Sequence, residues 1–540
     1  MVRAKLNQQE WETFLGLADR LEIDVRGLLE KDSRFHVLEA AGHALGRAVA
    51  QATTERLALA RAERLSEPQP CPTCGQQYPL LRRERRLETL DGPIELHEPV
   101  CHCSACRRDF FPQRPALGLD QRTYSPAVVD KIVSANAEHK STYKAQKMLR
   151  KLTELSISVP EILELSSRIG RELREHLEEQ ATAHTTQTLE PQYAQVPSLA
   201  VVSTDGGRIM TRAEGGRGVH DQAWKETKNA CLMTMSSTPS EQDPHPELPT
   251  CFKDRVYVEQ LVRDIHSTAS RVPQNSSEIP VISVEAEVAS SSACELPAEQ
   301  SPTKKSRKEW RPKRLVRTCV SSMVSSDAFG PLVAGEAQHR GFYQAARRAF
   351  LGDGQAWNWT LHATHFPDFV AVADFVHPLG YVYDAAKVLS PEDPWPLHLR
   401  ATTACWQGRV SDFLNELRVW QAAHPMPLDQ KLPDEDPRSI VQTTITYLEN
   451  NRSRMDYPAY RRQGLPVSSS MIESLIKEMN FRVKGTEKFW NRPEGADNIL
   501  QIRAAALCDD DRLSQWIINR PGSYFYRSST RMECPMATPV

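Results

Sequence analysis

The sequence predicts a multidomain α+β protein in which small N-terminal modules precede an α/β core. Three observations predict it. Two Cys-x-x-Cys knuckles, Cys71-Pro-Thr-Cys74 and Cys103-Ser-Ala-Cys106, bracket a hairpin-like stretch. Short apolar strands end in acids at Asp205, Asp353 and Asp374. Residues 388–463 then switch to a helical pattern with Trp395, Trp406, Phe413, Leu417, Trp420 and Tyr447, which reads as an all-α insertion before Glu473. A chain of 540 residues exceeds one core, and about three or four units are expected. The net charge of −2 advertises no global basic field. No apolar run is long enough to cross a bilayer, so a soluble, cytoplasmic protein is expected.

Taken in order, residues 1–65 form an N-terminal helical region. Glu10–Leu21 has apolar residues near helical spacing, and Phe35–Leu65 continues behind caps at Asp32 and Ser33. A packing or dimerising helical hairpin explains this pattern, and no chemistry is visible in it.

Residues 66–115 read as a zinc ribbon. Five of the twelve cysteines lie between Cys71 and Cys106, and in a cytosolic chain such clustering argues for metal rather than oxidation. Cys71, Cys74, Cys103 and Cys106 supply four thiolates for a closed, structural Zn²⁺ site. The Asp91-Gly92 turn within the long intervening stretch predicts a β-hairpin. Cys101 and His102 are competing ligands. Arg82, Arg83, Arg85, Arg86, Arg107 and Arg108 either meet phosphates or form a solvated hairpin face.

Residues 120–195 read as a helix-turn-helix region. Ser125-Pro126 caps a first helix carrying Val128, Val129, Ile132 and Val133, and Ser141 opens a second. The second buries Ala145, Met148, Leu149 and Leu152, with Lys144, Lys147, Arg150 and Lys151 on the other face. Ser158 and Glu161 form a capping box for a third helix with Ile162, Leu165, Ile169 and Leu173 inward. Three short helices with a tight turn before the last suit a major groove, so the four cations are candidate DNA contacts. A trihelical bundle that binds nothing is the plain alternative.

Residues 196–520 should hold the core. Ser198–Thr204 is a strand ending at Asp205, Ala223–Met235 would pair beside it, and Arg317–Met323 supplies a third strand. Residues 236–312 have the composition of a disordered insert, apart from a helix near Tyr257–Ile265, and end in the basic run Lys304–Arg314. Arg348–Leu351 leads to Asp353, and Phe369–Ala373 to Asp374, with His377 three residues on. Glu473 lies in the first turn of a helix opened by Ser468-Ser-Ser470, where capping is the bland explanation. That helix runs on to Arg482 and Lys484, candidate DNA contacts. Residues 521–540 read as a frayed tail.

These segments resemble the bacterial insertion-sequence transposases of the DDE class, whose catalytic core has the RNase H-like fold. The matching stretches are Ser203-Thr-Asp205-Gly, Leu351-Gly-Asp353-Gly-Gln-Ala-Trp357, Asp374-Phe-Val-His377 and Tyr447-Leu-Glu-Asn-Asn-Arg-Ser-Arg-Met-Asp-Tyr457. Gly464-Leu-Pro-Val-Ser-Ser-Ser-Met-Ile-Glu473-Ser and a later Trp490 complete the set. The match covers Tyr124 to Trp516, interrupted by the long insert. It implies that Asp205, Asp353 and Glu473 are a catalytic triad holding two Mg²⁺ (or Mn²⁺) ions. Asp374 and His377 would be the acid-x-x-His pair of Mutator-like members, with structural and catalytic roles equally open. The implied activity is binding of the terminal inverted repeats of an insertion sequence, DNA strand cleavage and strand transfer into target DNA. Implied partners are DNA and at least a second copy of the chain, in a nucleoid-associated cytoplasmic setting. The rival reading is a catalytically silent, transposase-derived DNA-binding protein or repressor. A structure-specific nuclease or RNase H shares the metal logic.

Overall fold

Burial alternates on both sides of the Asp91-Gly92 turn, with Leu87 and Thr89 inward on one strand and Gly92, Ile94 and Leu96 on the other. This pattern closes into the hairpin that the Asp-Gly turn predicts. A computed structural model describes residues 34–120, 122–153, 155–193, 195–213, 222–269, 311–427, 432–468, 470–484 and 489–525, with isolated positions before them. Within its helices and strands, the side chains of residues 222, 264, 266–269, 470, 471 and 473 lie outside the description. The expected first helix at 10–21 and the caps at Asp32 and Ser33 fall almost wholly outside the described residues. So do 270–310 and 526–540. The chain divides into two compact units, residues 1–165 with 513–540, and residues 166–512.

In the first unit, helix α1 (Phe35–Glu63) lies along the hairpin. Short strands β1 (Gln69–Pro70) and β2 (Gln77–Tyr78) pair antiparallel around the first knuckle. β3 (Leu81–Thr89), β4 (Gly92–Cys103) and β5 (Arg108–Phe110) form a three-stranded antiparallel sheet in chain order. The register Thr89 to Gly92 leaves a two-residue turn, as a tight hairpin requires. Leu87, Ile94, Leu96 and Leu119 make a small apolar core beside it.

A short helix, α2 (Arg114–Leu117), inserts Arg114, which is 1 % exposed. Its guanidinium meets both oxygens of the buried Glu98 at 2.9 and 2.6 Å, and Arg85 Nε approaches the same carboxylate at 2.9 Å. Burial lowers the pKa of Arg85, so this carboxylate is what keeps two desolvated cations tolerable.

The trihelical segment follows as α3 (Pro126–Glu138), α4 (Thr142–Thr153) and α5 (Val159–Thr185). Ser125 accepts the Val128 N–H, and Ser158 accepts that of Glu161, as capping predicts. Three expectations are corrected. The third helix is not short but spans 27 residues, because its apolar spacing continues through Leu173. The tight turn, His139–Ser141, precedes α4 rather than α5. Leu152 is 71 % exposed rather than inward, since it lies in the last turn of α4 beyond the buried Ala145 and Leu149.

The expected tail at 521–540 is corrected where it is described. The N–H of Phe111 bonds the Tyr524 carbonyl, that of Ser523 bonds Leu119, and the Arg108 guanidinium lies 3.7 Å over the Phe525 ring. Gly522 permits this approach, because a Cβ there would stand 2.1 Å from the Arg114 carbonyl.

The second unit is built on a five-stranded mixed sheet. β6 (Leu199–Arg212), β7 (Gln222–Ser236) and β8 (Lys313–Ser322) form an antiparallel meander. Between β7 and β8, residues 236–269 carry defined structure, which corrects the expected structureless insert for that part. Asp243 forms an ion pair with the fully buried Arg461, the Trp406 indole donates to the His245 carbonyl, and helix α6 (Arg255–Ala269) buries Val258 and Val262 against Tyr383. Specific polar contacts to the helical insertion thus order a proline-rich stretch that composition alone marks as uncommitted.

Helix α7 (Ser326–His339) leads to β9 (Arg347–Gly352), then α8 (Ala356–His365) and β10 (Val370–Ala373). β9 pairs parallel to β6, and β10 parallel to β9, giving the order β10-β9-β6-β7-β8. Ala200, Val202, Leu232, Val320 and Phe350 pack on α7 and α8. Strand alternation turns the intervening residues to the opposite face. Helices α9 (His377–Leu389), α10 (Trp395–Trp406), α11 (Val410–Ala423), α12 (Pro437–Asn451) and α13 (Tyr457–Arg462) follow. The chain then re-enters the sheet layer as α14 (Ser470–Val483) and α15 (Pro493–Ala506), and the next helix, α16 (Arg512–Asn519), belongs almost wholly to the first unit. α14 and α15 cover that opposite face: Arg317 of β8 forms a bidentate pair with Glu478 at 3.0 and 3.2 Å, and the Cys319 thiol reaches the Leu507 carbonyl. Among the described residues no helix is long and apolar enough to cross a membrane.

Removing the shared carboxylate of the first unit tests its packing. Glu98→Gln is expected to destabilise that unit by about 3–5 kcal/mol, because Arg114 and Arg85 would be left buried without a counter-charge. Urea unfolding followed through the hairpin region measures it. A change under about 1 kcal/mol would contradict the account.

Candidate active site and thiolate centre

Parallel pairing sets the candidate active site. Ser203 of β6 is opposite Leu351 of β9, so Asp205 and Asp353, each two residues on, fall at the same level. Ala373 of β10 is opposite Gly352, and the Asp374 N–H donates to the Gly352 carbonyl at 2.9 Å, which sets Asp374 beside Asp353. Asp353 and Asp374 therefore stand just past the ends of β9 and β10, while Asp205 lies level with Asp353 inside β6. β6 continues to Arg212 with β7 alone as neighbour, which corrects the expected strand end at Asp205: the antiparallel ladder with β7 carries β6 onward. Asp205 thus sits where β6 leaves its parallel partner. It shares a strand face with Val201 and Ser203, the face covered by α14 and α15.

Asp353 is held closely. It is 8 % exposed, and its Oδ1 accepts from the Gln355 N–H at 3.0 Å and from Asn358 Nδ2 at 2.7 Å. Asn358, fully buried on α8, accepts in turn from the Thr204 hydroxyl at 2.8 Å. The Tyr447 hydroxyl donates to the Asp353 carbonyl at 3.2 Å. Gly354 has φ +97°, and a Cβ there would lie 2.6 Å from the Tyr447 ring, so two constraints select glycine. Burial, with Asp374 and Asp353 nearby, holds the Tyr447 phenol well above its ordinary pKa, so it remains a donor. Asp205 Oδ1 accepts the following Gly206 N–H at 2.6 Å. Across the ladder, Asn229 faces Asp205 and accepts from Ser321 at 2.9 Å.

Asp374 is fully buried and His377, the first residue of α9, is half-buried. The Phe375 N–H donates to the Val467 carbonyl at 3.0 Å, which fixes the segment entering α14 next to these strand ends. Ile472, Leu475, Met479 and Val483 are buried, and α14 packs on β6 and β7. Glu473 belongs to the first turn of this helix, and its side chain lies outside the described residues. Among the described residues, the carboxylates do not gather into a group as close as the four thiols of the first unit.

The thiolate centre is compact. The Sγ atoms of Cys71, Cys74, Cys103 and Cys106 lie within 4.8 Å of one another, so the cluster can hold a metal ion such as zinc. Each knuckle turns through a positive-φ residue after its second cysteine, Gly75 (+73°) and Arg107 (+53°). The Gly75 N–H bonds the Cys71 carbonyl, and the Cys106 N–H bonds Cys103 Sγ at 3.2 Å. Burial works against a Cys103 thiolate, but hydrogen bonds from Tyr78 and the Cys106 N–H bring it to about 6. Cys106 is pushed up to about 12, chiefly by its hydrogen bond with Cys103 and then by desolvation. Four such thiols cannot all ionise together without a cation between them. The competing ligands separate: Cys101 turns its thiol towards the Tyr78 carbonyl, and His102 pairs with Asp109 at 2.8 Å.

Of the candidate DNA contacts, Lys144, Lys147, Arg150 and Lys151 are all exposed on α4, beside Lys140 and the 68 % exposed Tyr143. Arg82, Arg83, Arg86 and Arg107 are exposed, whereas Arg85 is committed to Glu98. Arg482 is corrected: it is 3 % exposed, and burial together with Arg503 brings it down to about 10. It follows Leu475 and Met479 at helical spacing, and so falls on the inward stripe of α14. Lys484 is half-buried, 5.6 Å from the Trp224 ring centre. Sequence reasoning missed Thr204, Asn358 and Tyr447. The first two have sequence signals: Thr204 adjoins Asp205, and Asn358 follows Asp353 in the first helical turn. No family model matches the chain, and no curated protein matches it.

Substitution separates the thiolate ligands from their neighbours. Cys103→Ser is expected to lose the bound metal and lower the melting temperature of the first unit, while Cys101→Ser keeps the metal. Elemental analysis of the purified variants reads this directly. Metal loss in Cys101→Ser with retention in Cys103→Ser would reverse the assignment.

Proposed function

We propose that this chain is a DDE-class transposase that binds the ends of an insertion sequence, cuts DNA at them and joins the freed strand to a target. The observation that carries the reading is the parallel register bringing Asp205 of β6 level with Asp353 just past the end of β9, with the helix of Glu473 packed along β6 and β7. An antiparallel meander continued by two parallel strands, with one acid on the first strand and one just past the end of the fourth, is the arrangement that an RNase H-like core needs.

Asp205, Asp353 and Glu473 would hold two Mg²⁺ ions. When bound, such ions activate an attacking water or DNA 3′-hydroxyl and offset charge on the leaving oxygen. The fit rests on Asp353: Oδ1 is committed to Gln355 and Asn358, whereas Oδ2 takes no hydrogen bond among the described residues. The chain's own contribution is fixed negative charge on a buried scaffold, with no side-chain nucleophile needed. His377 at the start of α9 would face the same region from the β10 side, and Asp374 beneath it would anchor that turn. Zinc is the metal the four-thiolate centre fits, with a closed and structural site. The exposed cations of α4, behind the short turn His139–Ser141, would meet DNA, and two ends require at least two copies of the chain.

Purified protein incubated with labelled element ends and Mg²⁺ tests the reading. Joined products are expected. Cut products alone would point to a nuclease, and binding alone to a silent DNA-binding protein or repressor. Asp205→Asn and Glu473→Gln are each expected to abolish cleavage while leaving end binding nearly unchanged, and cleavage at the wild-type rate in either variant would contradict the triad. Lys147→Ala and Arg150→Ala should each weaken binding and reduce the salt slope by about one. Unchanged slopes in both would remove α4 from the interface.

A further inference from the structure

Asp353 is linked to the strand of Asp205 by a hydrogen-bond relay that nothing in the triad pattern requires. Thr204, 1 % exposed, precedes Asp205 on β6, and its hydroxyl meets Asn358 Oδ1 at 2.8 Å. Asn358, 0 % exposed, sends Nδ2 to Asp353 Oδ1 at 2.7 Å. The direction of this relay is fixed by chemistry. An ionised carboxylate only accepts, so the amide must turn its nitrogen to Asp353. Its oxygen is then left facing Thr204, which must donate. Reversing the amide would set two acceptors against each other in a buried site. Gly352 makes room for this side chain, since a Cβ there would sit 3.1 Å from that of Asn358.

We infer that Asn358 is a positioning residue: it ties the Asp353 carboxylate to the strand carrying Asp205 and reserves Asp353 Oδ2 for a divalent cation. Besides Asn358, the Gln355 N–H is the other donor to Oδ1, so the pair of bonds sets the rotation of the carboxylate plane. Without the amide, the group can turn and present either oxygen, and the cation must then hold it in place at its own cost in affinity. The inference rests on the proposed carboxylate–metal reading. It adds that the separation of the two acids is held by the protein before any ion arrives.

Manganese binding to the full-length protein tests it, read by electron paramagnetic resonance of free Mn²⁺ after the thiolate centre has been saturated with zinc. Asp353→Asn sets the benchmark for losing the ligand. Asn358→Leu, which keeps the volume and removes both bonds, is expected to weaken Mn²⁺ binding by about 10- to 100-fold. Thr204→Val, which keeps the shape of the strand and removes one link, should weaken it less than Asn358→Leu but measurably. If Asn358→Leu does not fold, Thr204→Val alone decides. Mn²⁺ affinity within about twofold of wild type in the folded relay variants, with Asp353→Asn impaired, would overturn the inference and leave the metal reading standing. Unchanged binding in Asp353→Asn would overturn both.

Discussion

The register between β6 and β9 is the constraint on which the second unit depends. Parallel strands bond evenly, so a single pairing, Ser203 with Leu351, fixes the level of every residue beyond it. A slip of one residue would turn Asp205 to the α7–α8 face and bury a carboxylate against Phe329 and Phe350. The apolar core therefore protects the geometry of the acids. Ala200, Val202 and Phe350 can pack only in the register that also brings Asp205 level with Asp353. Stability and site geometry are set by the same contacts.

The first unit answers a different problem. Its hairpin and knuckles bury too few apolar residues to form a sizeable core, with Cys71, Cys101, Cys103 and Phe110 making up one cluster. Specific links take over where bulk burial is short. The thiolate centre joins the two knuckles, the Glu98 carboxylate holds Arg114 and Arg85, and Phe525 closes over Arg108. The same device recurs in the helical insertion of the second unit, where the buried Arg461 grips Asp243 and lies 4.2 Å over the Trp406 ring. Buried arginines with defined partners give each region one arrangement, at the expense of an exacting requirement for the partner.

Much of this was legible because local chemistry carried it. The Cys-x-x-Cys spacing identified the four thiols that cluster closely enough to hold a metal ion, though Cys101 could be separated from Cys103 only by seeing where its thiol turns. Strands stopping before Asp353 and Asp374 were visible from β propensity, and Ser125 and Ser158 from capping, whereas the strand through Asp205 runs on to Arg212 because β7 continues to pair with it. What escaped was set by contacts between distant segments. Asn358 matters through Thr204, 154 positions away, and Tyr447 through the Asp353 carbonyl, 94 positions away. The proline-rich stretch after Ser236 took its order from Arg461, and the C-terminal residues took theirs from Phe111 and Leu119. Arg482 was the avoidable error. Its spacing from Leu475 and Met479 already set it on the inward stripe, and the charge alone suggested otherwise.

The central claim is that Asp205, Asp353 and Glu473 converge on shared metal ions. Replacing those ions with Fe²⁺ and adding peroxide with ascorbate cuts the polypeptide next to the bound iron. The account predicts backbone cuts near residues 205, 353 and 473 together, suppressed by excess Mg²⁺. Cuts near only one of the three, or cuts that excess Mg²⁺ leaves unchanged, would contradict it.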